Sequence, residues 1–170
     1  SDHNLSGLIA AGPEKGKLIS KLTFRGEKQV ESAAKDLVKK LGNKKLDYIF
    51  TSPYFRTKQT AKIVAKWTKA KVLADKRLTE LNCGIFNWRP VEEHRRFHQN
   101  DLERFTKTPS GGENLNEVKK RMLEAVLEIN SRYQNKNILI VSHGDPLFAL
   151  EGALKGLGNE EILKLDYIET

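Results

Sequence analysis

Three short stretches of the sequence carry side chains able to act on a phosphoryl group. Thr51-Ser52-Pro53-Tyr54-Phe55-Arg56-Thr57-Lys58-Gln59-Thr60 offers Arg56, whose rigid fork of donors matches phosphate oxygens. Leu78-Thr79-Glu80-Leu81 offers Glu80, a carboxyl able to protonate a leaving oxygen where its surroundings raise its pKa. Ser142-His143-Gly144 offers His143, which donates hydrogen bonds or moves protons near neutral pH. Gathered in one place, the three suit phosphoryl transfer. Taken singly, each has a plain structural explanation. His143 could be a satisfied histidine at a strand end, Arg56 a surface residue near a helix start, and Glu80 a solvated or capping carboxylate. Composition and periodicity do not bring them together.

The elements that must position these residues are partly legible. Ile138, Leu139, Ile140 and Val141 form a continuous apolar run, suited to a strand covered on both faces. His143 follows it directly, where open α/β sheets place their ligands. Asp145 and Pro146 then open a helix through Leu147, Leu150, Ala153 and Leu154. Leu46 to Phe50 predicts a strand that exits through Thr51-Ser52-Pro53, and Lys71 to Ala74 a short edge strand. Val30, Ala33, Ala34, Leu37, Val38 and Leu41 recur at helical spacing, and Gly42-Asn43 supplies a stop. Thr60, Ile63, Val64 and Trp67 mark a second helix, with Trp67 read as core. Leu115, Val118, Met122, Ala125, Val126, Ile129 and Tyr133 trace a long third helix. Residues 5–21 read as a long loop and Leu81 to Gly112 as an irregular excursion that covers a cleft. Leu163 to Ile168 reads as a last strand. Helices alternating with apolar strands predict a three-layer α/β/α sandwich with a largely parallel central sheet, built as one domain over residues 1–170.

Composition narrows the function classes. With 170 residues and 31% charged residues, the chain reads as an ordinary globular protein and not a disordered one. No apolar stretch is long enough to cross a membrane, and no secretory signal is visible. One cysteine, Cys83, excludes an intrachain disulfide and suits a reducing, cytoplasmic setting; the residue itself reads as small and packed. The net charge of +8 would suit nucleic acid, an acidic partner or a phosphorylated substrate. Lys35, Lys39, Lys40, Lys44 and Lys45, and the run Lys119-Lys120-Arg121, read mostly as solvated faces and helix termini. Nucleic-acid binding lacks an aromatic-basic stripe or a reading helix.

Five motifs, in order along nearly the whole chain, carry a resemblance. They are LTFRGEKQ (Leu22 to Gln29), SPYFRTKQTA (Ser52 to Ala61), LTELNCG (Leu78 to Gly84), GGENLNEVKKR (Gly111 to Arg121) and SHG (Ser142 to Gly144). Together they resemble the histidine phosphatase superfamily, also called phosphoglycerate-mutase-like, in its phosphatase branch. The resemblance implies a metal-independent, cofactor-free phosphomonoester hydrolase that passes the phosphoryl group to a histidine and then to water. It gives Arg56 the phosphoryl group, Glu80 the general acid and base role, and His143 contact with the transferring group. Asn4 and Gly144 join Arg56 and His143 in binding phosphate or substrate. The partner implied is a small phosphorylated metabolite; the oligomeric state is left open.

The family opens with a strand ending in Arg-His-Gly, then a few residues to the pocket asparagine. This sequence begins Ser1-Asp2-His3-Asn4, so the resemblance sets the first strand and the nucleophilic histidine before Ser1. His3 falls at a variable family position and is a poor substitute. Two alternatives stand beside the phosphatase. One is a phosphoglycerate mutase, disfavoured because Glu80-Leu81-Asn82-Cys83-Gly84 departs from the mutases' Glu-Arg-His-Tyr-Gly. The other is an inactive phosphate- or protein-binding module.

Three remaining features carry less. Gly12 to Leu18, GPEKGKL, misses the spacing of a nucleotide loop and fits a mobile basic flap better. His94 and His98 stand one helical turn apart, half a metal site without a third ligand, and read as a solvated helix face that could touch the variable part of a substrate. Trp88 either lines the substrate mouth or anchors the excursion.

Overall fold

The computed structural model describes Ile9 and residues 20–165. Three short strands, β1 (Tyr48–Thr51), β2 (Lys71–Ala74) and β3 (Ile138–Val141), pair in the order β2-β1-β3, every pairing parallel. Tyr48 lies opposite both Lys71 and Ile138, so the strands end level with one another. The helices are α1 (Phe24–Leu41), α2 (Phe55–Thr68), α3 (Val91–Phe97), α4 (Leu115–Arg132), α5 (Gly144–Leu154) and α6 (Asn159–Ile162). Short 3-10 turns occupy Lys76–Leu78, Gly84–Phe86 and Asp101–Phe105.

The period of two along each strand separates the layers. Ile49, Val72, Leu139 and Val141 face one cluster with Ala34 of α1 and Ala61 and Val64 of α2. Tyr48, Phe50, Leu73, Ile138 and Ile140 face another, with Val118, Met122 and Ala125 of α4 and Phe148 to Leu150 of α5. Helices therefore cover both faces, as the apolar run of β3 requires. Each fully buried side chain of this size contributes about 1.5–3 kcal/mol. Tyr133 packs edge-on against Tyr48 and Phe50, with ring centroids at 4.7 and 5.3 Å.

Local chemistry fixes the helix ends. Thr23 caps α1 by accepting from the Gly26 N–H at 3.0 Å, which is why α1 starts at Phe24 and not at the first apolar repeat, Val30. Its end falls at Gly42, where φ is +55°. Asn114 and Glu117 form a capping box at the start of α4. Two glycines let the segment before α4 lie against the Glu80 loop. A Cβ on Gly84 would meet the Ser110 carbonyl at 2.2 Å, and one on Gly112 the Asn82 carbonyl at 2.6 Å.

Several expectations change. Leu163 to Leu165 form a turn and a bend after α6, not the start of a strand; the rest of that segment lies outside the described residues. Trp67 is 43% exposed, because α2 turns Thr57, Ala61 and Val64 inward; the Lys35 ammonium sits 4.9 Å from its ring. β1 begins at Tyr48 and runs through Thr51, later than the apolar residues from Leu46 suggest. The irregular excursion contains α3 and two of the 3-10 turns. His94 is not simply solvated: its ring stands edge-on to Phe86 at 5.6 Å and to His98 at 5.0 Å. No helix among the described residues is long and apolar enough to cross a membrane. The GPEKGKL stretch lies outside the described residues.

Candidate active site

Strand order places the site. The chain leaves β1 through α2 and returns as β2 on one side, while β3 pairs on the other side of β1. The order reverses at β1, and the crevice beyond the carboxyl ends of such strands is the ligand position of open α/β sheets. Arg56 leaves β1 and enters the first turn of α2, Glu80 follows the turn after β2, and His143 follows β3. The Ser52 N–H donates to the Val141 carbonyl at 3.0 Å and holds the exits of β1 and β3 together.

The three side chains converge. Nη2 of Arg56 lies 2.8 Å from Nδ1 of His143. Oε2 of Glu80 lies 3.7 Å from Arg56 Nη2 and 3.6 Å from His143 Nδ1. A guanidinium can only donate, so Nδ1 accepts and carries the lone pair. Nε2 then bears the hydrogen and donates to Ser52 Oγ at 2.9 Å. His143 is 6% exposed. Burial, with the charges of Arg56 and Arg121 beside it, holds its pKa far below the usual imidazole range, so the ring is neutral. Tyr54 braces both groups, its ring edge-on to His143 at 5.2 Å and 5.4 Å from Arg56 Cζ.

Glu80 has the opposite bias. Burial raises its carboxyl from 4.5 to about 7, and Asp145 adds to the rise against the opposing pull of the Leu81 N–H, Arg56 and Arg121. Its two oxygens differ. Oε1 accepts from the Leu81 N–H at 3.0 Å, while Oε2 faces Arg56 and His143. A carboxyl poised near neutrality, beside a fixed cation and a neutral imidazole, can hold an anion and give up a proton next to it.

The motif residues around these groups hold the turns. Thr57 Oγ1 donates to the carbonyls of Ser52 and Tyr54 at 3.0 and 2.9 Å. Gln59 accepts from the Leu22 N–H at 3.0 Å and reaches Glu27 at 3.4 Å, joining α1 to α2. Ser142 Oγ donates to the Leu78 carbonyl at 2.8 Å, tying the exit of β3 to the turn before Glu80. Gly144 opens α5, directly after His143. Asn4 lies outside the described residues.

Some contributors escaped sequence reasoning. Ser52 and Tyr54 stood inside a quoted motif without a role, since a serine and a tyrosine in a turn resemble ordinary turn residues. Arg121 corrects the reading of Lys119-Lys120-Arg121 as a solvated run: its side chain is only 16% exposed. The available signal was its place beside the apolar stripe of Val118, Met122 and Ala125. Asp145 pairs with Arg104 at 2.8 Å. His94, held down to about 4 by burial and by His98, is a neutral aromatic surface near Arg104 and Asp145. No third metal-ligating side chain joins His94 and His98 among the described residues. Cys83 is buried, and burial pushes its thiol up to about 12.

An open parallel sheet with a guanidinium, an imidazole and a protonatable carboxyl at its carboxyl edge is an α/β arrangement suited to an anionic group. Comparison with known proteins gives the lineage. The sequence model of the histidine phosphatase superfamily, branch 1, matches residues 11–170, and the chain belongs to that family. Phosphoserine phosphatase 1 of Hydrogenobacter thermophilus is 32% identical over 151 residues, which cover 86% of this chain and 70% of that protein. A probable phosphoglycerate mutase, GpmB, of Yersinia enterocolitica is 33% identical over 150 residues, 84% of this chain and 66% of that protein. The solved structure of Bacillus stearothermophilus YhfR matches with a TM-score of 0.78 at 27% identity, covering 98% of this chain and 80% of that one.

Proposed function

We propose that this protein hydrolyses small phosphomonoesters through a phosphohistidine intermediate, in the cytoplasm, and that residues 1–170 form one domain of it. The observation that carries the proposal is the meeting of Arg56, His143 and Glu80 within 2.8–3.7 Å of one another, from three separate strand ends. Arg56 and the backbone at Gly144 hold the equatorial oxygens of the phosphoryl group; the family resemblance alone gives Asn4 a part in binding it. His143, neutral and held between Arg56 and Ser52, lines the same pocket and fixes the direction of the guanidinium that meets the phosphoryl group.

By the family's pattern the accepting imidazole is that of an Arg-His-Gly motif, a triplet absent from residues 1–170. His143 is not that group, since its lone pair is committed to Arg56 and it is buried. As the acceptor nitrogen bonds to phosphorus, the bond from phosphorus to the substrate oxygen breaks. Glu80 Oε2 delivers its proton to that departing oxygen. The resulting carboxylate then takes a proton from the water that attacks phosphohistidine, which frees inorganic phosphate and restores both groups.

Phosphoserine is the first substrate to test, because a 32%-identical relative is named for it. A mutase reading is favoured by one observation, the 33%-identical relative named as a probable phosphoglycerate mutase. Radiolabelled phosphoserine and phosphoglycerate, given to the full-length encoded protein, separate the readings. Hydrolysis sends label into inorganic phosphate through an acid-labile, base-stable phosphoenzyme. Label returning to a sugar acid would establish the mutase instead, and no phosphoenzyme with either substrate would overturn both.

A further inference from the structure

We propose that Arg121, gripped by Glu113, is the positioning residue that aims Glu80 at the leaving oxygen of the substrate. The inference rests on the reading of Glu80 as general acid. It starts from a complete use of donors. A guanidinium has five N–H groups, and in Arg121 each has a partner. Nη1 donates to the carbonyls of Arg77 and Thr79 at 2.7 and 2.9 Å. Nη2 donates to the Glu80 carbonyl at 3.1 Å and to Glu113 Oε2 at 3.0 Å. Nε donates to Glu113 Oε1 at 2.7 Å.

The arrangement brackets Glu80. On its N-terminal side the carbonyls of residues 77 and 79 are pinned, and so is its own. On its C-terminal side, Glu113 Oε2 accepts from the Asn82 N–H at 3.1 Å, and the Glu113 N–H donates to the Asn82 carbonyl at 2.8 Å. With the backbone fixed on both sides, the Leu81 N–H selects Oε1 and leaves Oε2 toward the pocket. One face of α4 supplies the anchor. Glu128, seven positions beyond Arg121, receives Arg77 Nη1 at 2.6 Å, while Asp75 holds the other edge of the same guanidinium at 2.7 Å. The turn between β2 and Glu80 is therefore clamped to α4 at two points. Such a clamp suits a carboxyl that must meet a departing oxygen, because a misplacement of about 1 Å can cost about 10²-fold in rate.

Leaving-group dependence separates aiming from folding. Protonation by Glu80 matters when an alkoxide departs and matters little when a stabilised phenolate departs. The experiment compares kcat/KM for glycerol phosphate and p-nitrophenyl phosphate in the full-length wild type and in Glu80→Gln, Arg121→Lys and Glu113→Gln. Glu80→Gln defines the signature of a lost acid, a loss confined to the alkyl ester. Arg121→Lys keeps the charge but cannot span the three carbonyls. Glu113→Gln keeps the shape of its side chain and carries the test if Arg121→Lys does not fold. Both are expected to lose about 10-fold or more on glycerol phosphate and to stay within about twofold on p-nitrophenyl phosphate. Equal losses on both esters, or no loss on either, would overturn the inference while a selective Glu80→Gln left the general-acid reading standing. A Glu80→Gln enzyme without selectivity would remove the general-acid reading, and this inference with it.

Discussion

Replacing Glu80 by glutamine should strip the protein of activity on alkyl phosphates and at the same time change how its stability depends on pH. The carboxyl is raised in the folded protein from 4.5 to about 7 by burial and by Asp145. At about 1.4 kcal/mol per tenfold change in proton affinity, that corresponds to about 3 kcal/mol. The folded state holds its proton more tightly than the unfolded chain, so stability falls as pH rises from the unfolded value through the folded one. The wild type therefore keeps the full contribution below about pH 4.5, loses it progressively up to about pH 7, and is flat for this group above that. Glutamine has no proton to lose, while every other titrating group is common to both proteins. The stability of Glu80→Gln relative to wild type should thus improve by up to about 3 kcal/mol between about pH 4 and pH 8. Urea unfolding across that range measures the difference, with the slope checked for constancy. Turnover of an alkyl phosphate should drop about 10²- to 10⁴-fold in the variant. In the wild type, kcat/KM for the same ester should fall above about pH 7, where the acid form is lost. A stability difference that stays constant with pH would show that Glu80 titrates like an ordinary carboxylate, and the account of it as a poised acid would be wrong.

Arg56→Ala should reduce kcat about 10²- to 10³-fold and change KM less, since its charge acts most strongly on the transferring group; steady-state kinetics with phosphoserine read both, and an unchanged kcat would refute the role. Gly152→Ala should lower stability by about 1–3 kcal/mol without altering activity per folded molecule. Its new methyl would sit 2.3 Å from Cγ1 of the fully buried Ile162, and thermal unfolding detects the cost. Asn114→Ala should cost about 1 kcal/mol, because the Glu117 N–H at 3.0 Å loses its acceptor; denaturant midpoints at constant slope measure it.

The sequence by itself determined the strands and long helices that carry the site and the identity of its chemical groups. The apolar run of β3, the helical stripe of α4 and the stop at Gly42 are local patterns, and local sterics and periodicity suffice to place them. The motifs around Arg56, Glu80 and His143 marked the candidate groups through resemblance. What a group does once buried is another matter, because it depends on residues far away in the chain. His143 meets Arg56 across 87 positions and Ser52 across 91, and these contacts set its tautomer and its neutrality. Arg121 lies in a run of cations that reads as solvated, yet carbonyls 41 to 44 positions away take up three of its N–H groups. Trp67 continues an apolar repeat but is left half-open by the rotation of α2. Helical and strand patterns are written in neighbours, whereas desolvation and charge pairing are sums over everything the fold brings close. Only the tertiary structure therefore decided that Glu80 holds its proton near neutrality and that His143 does not take one.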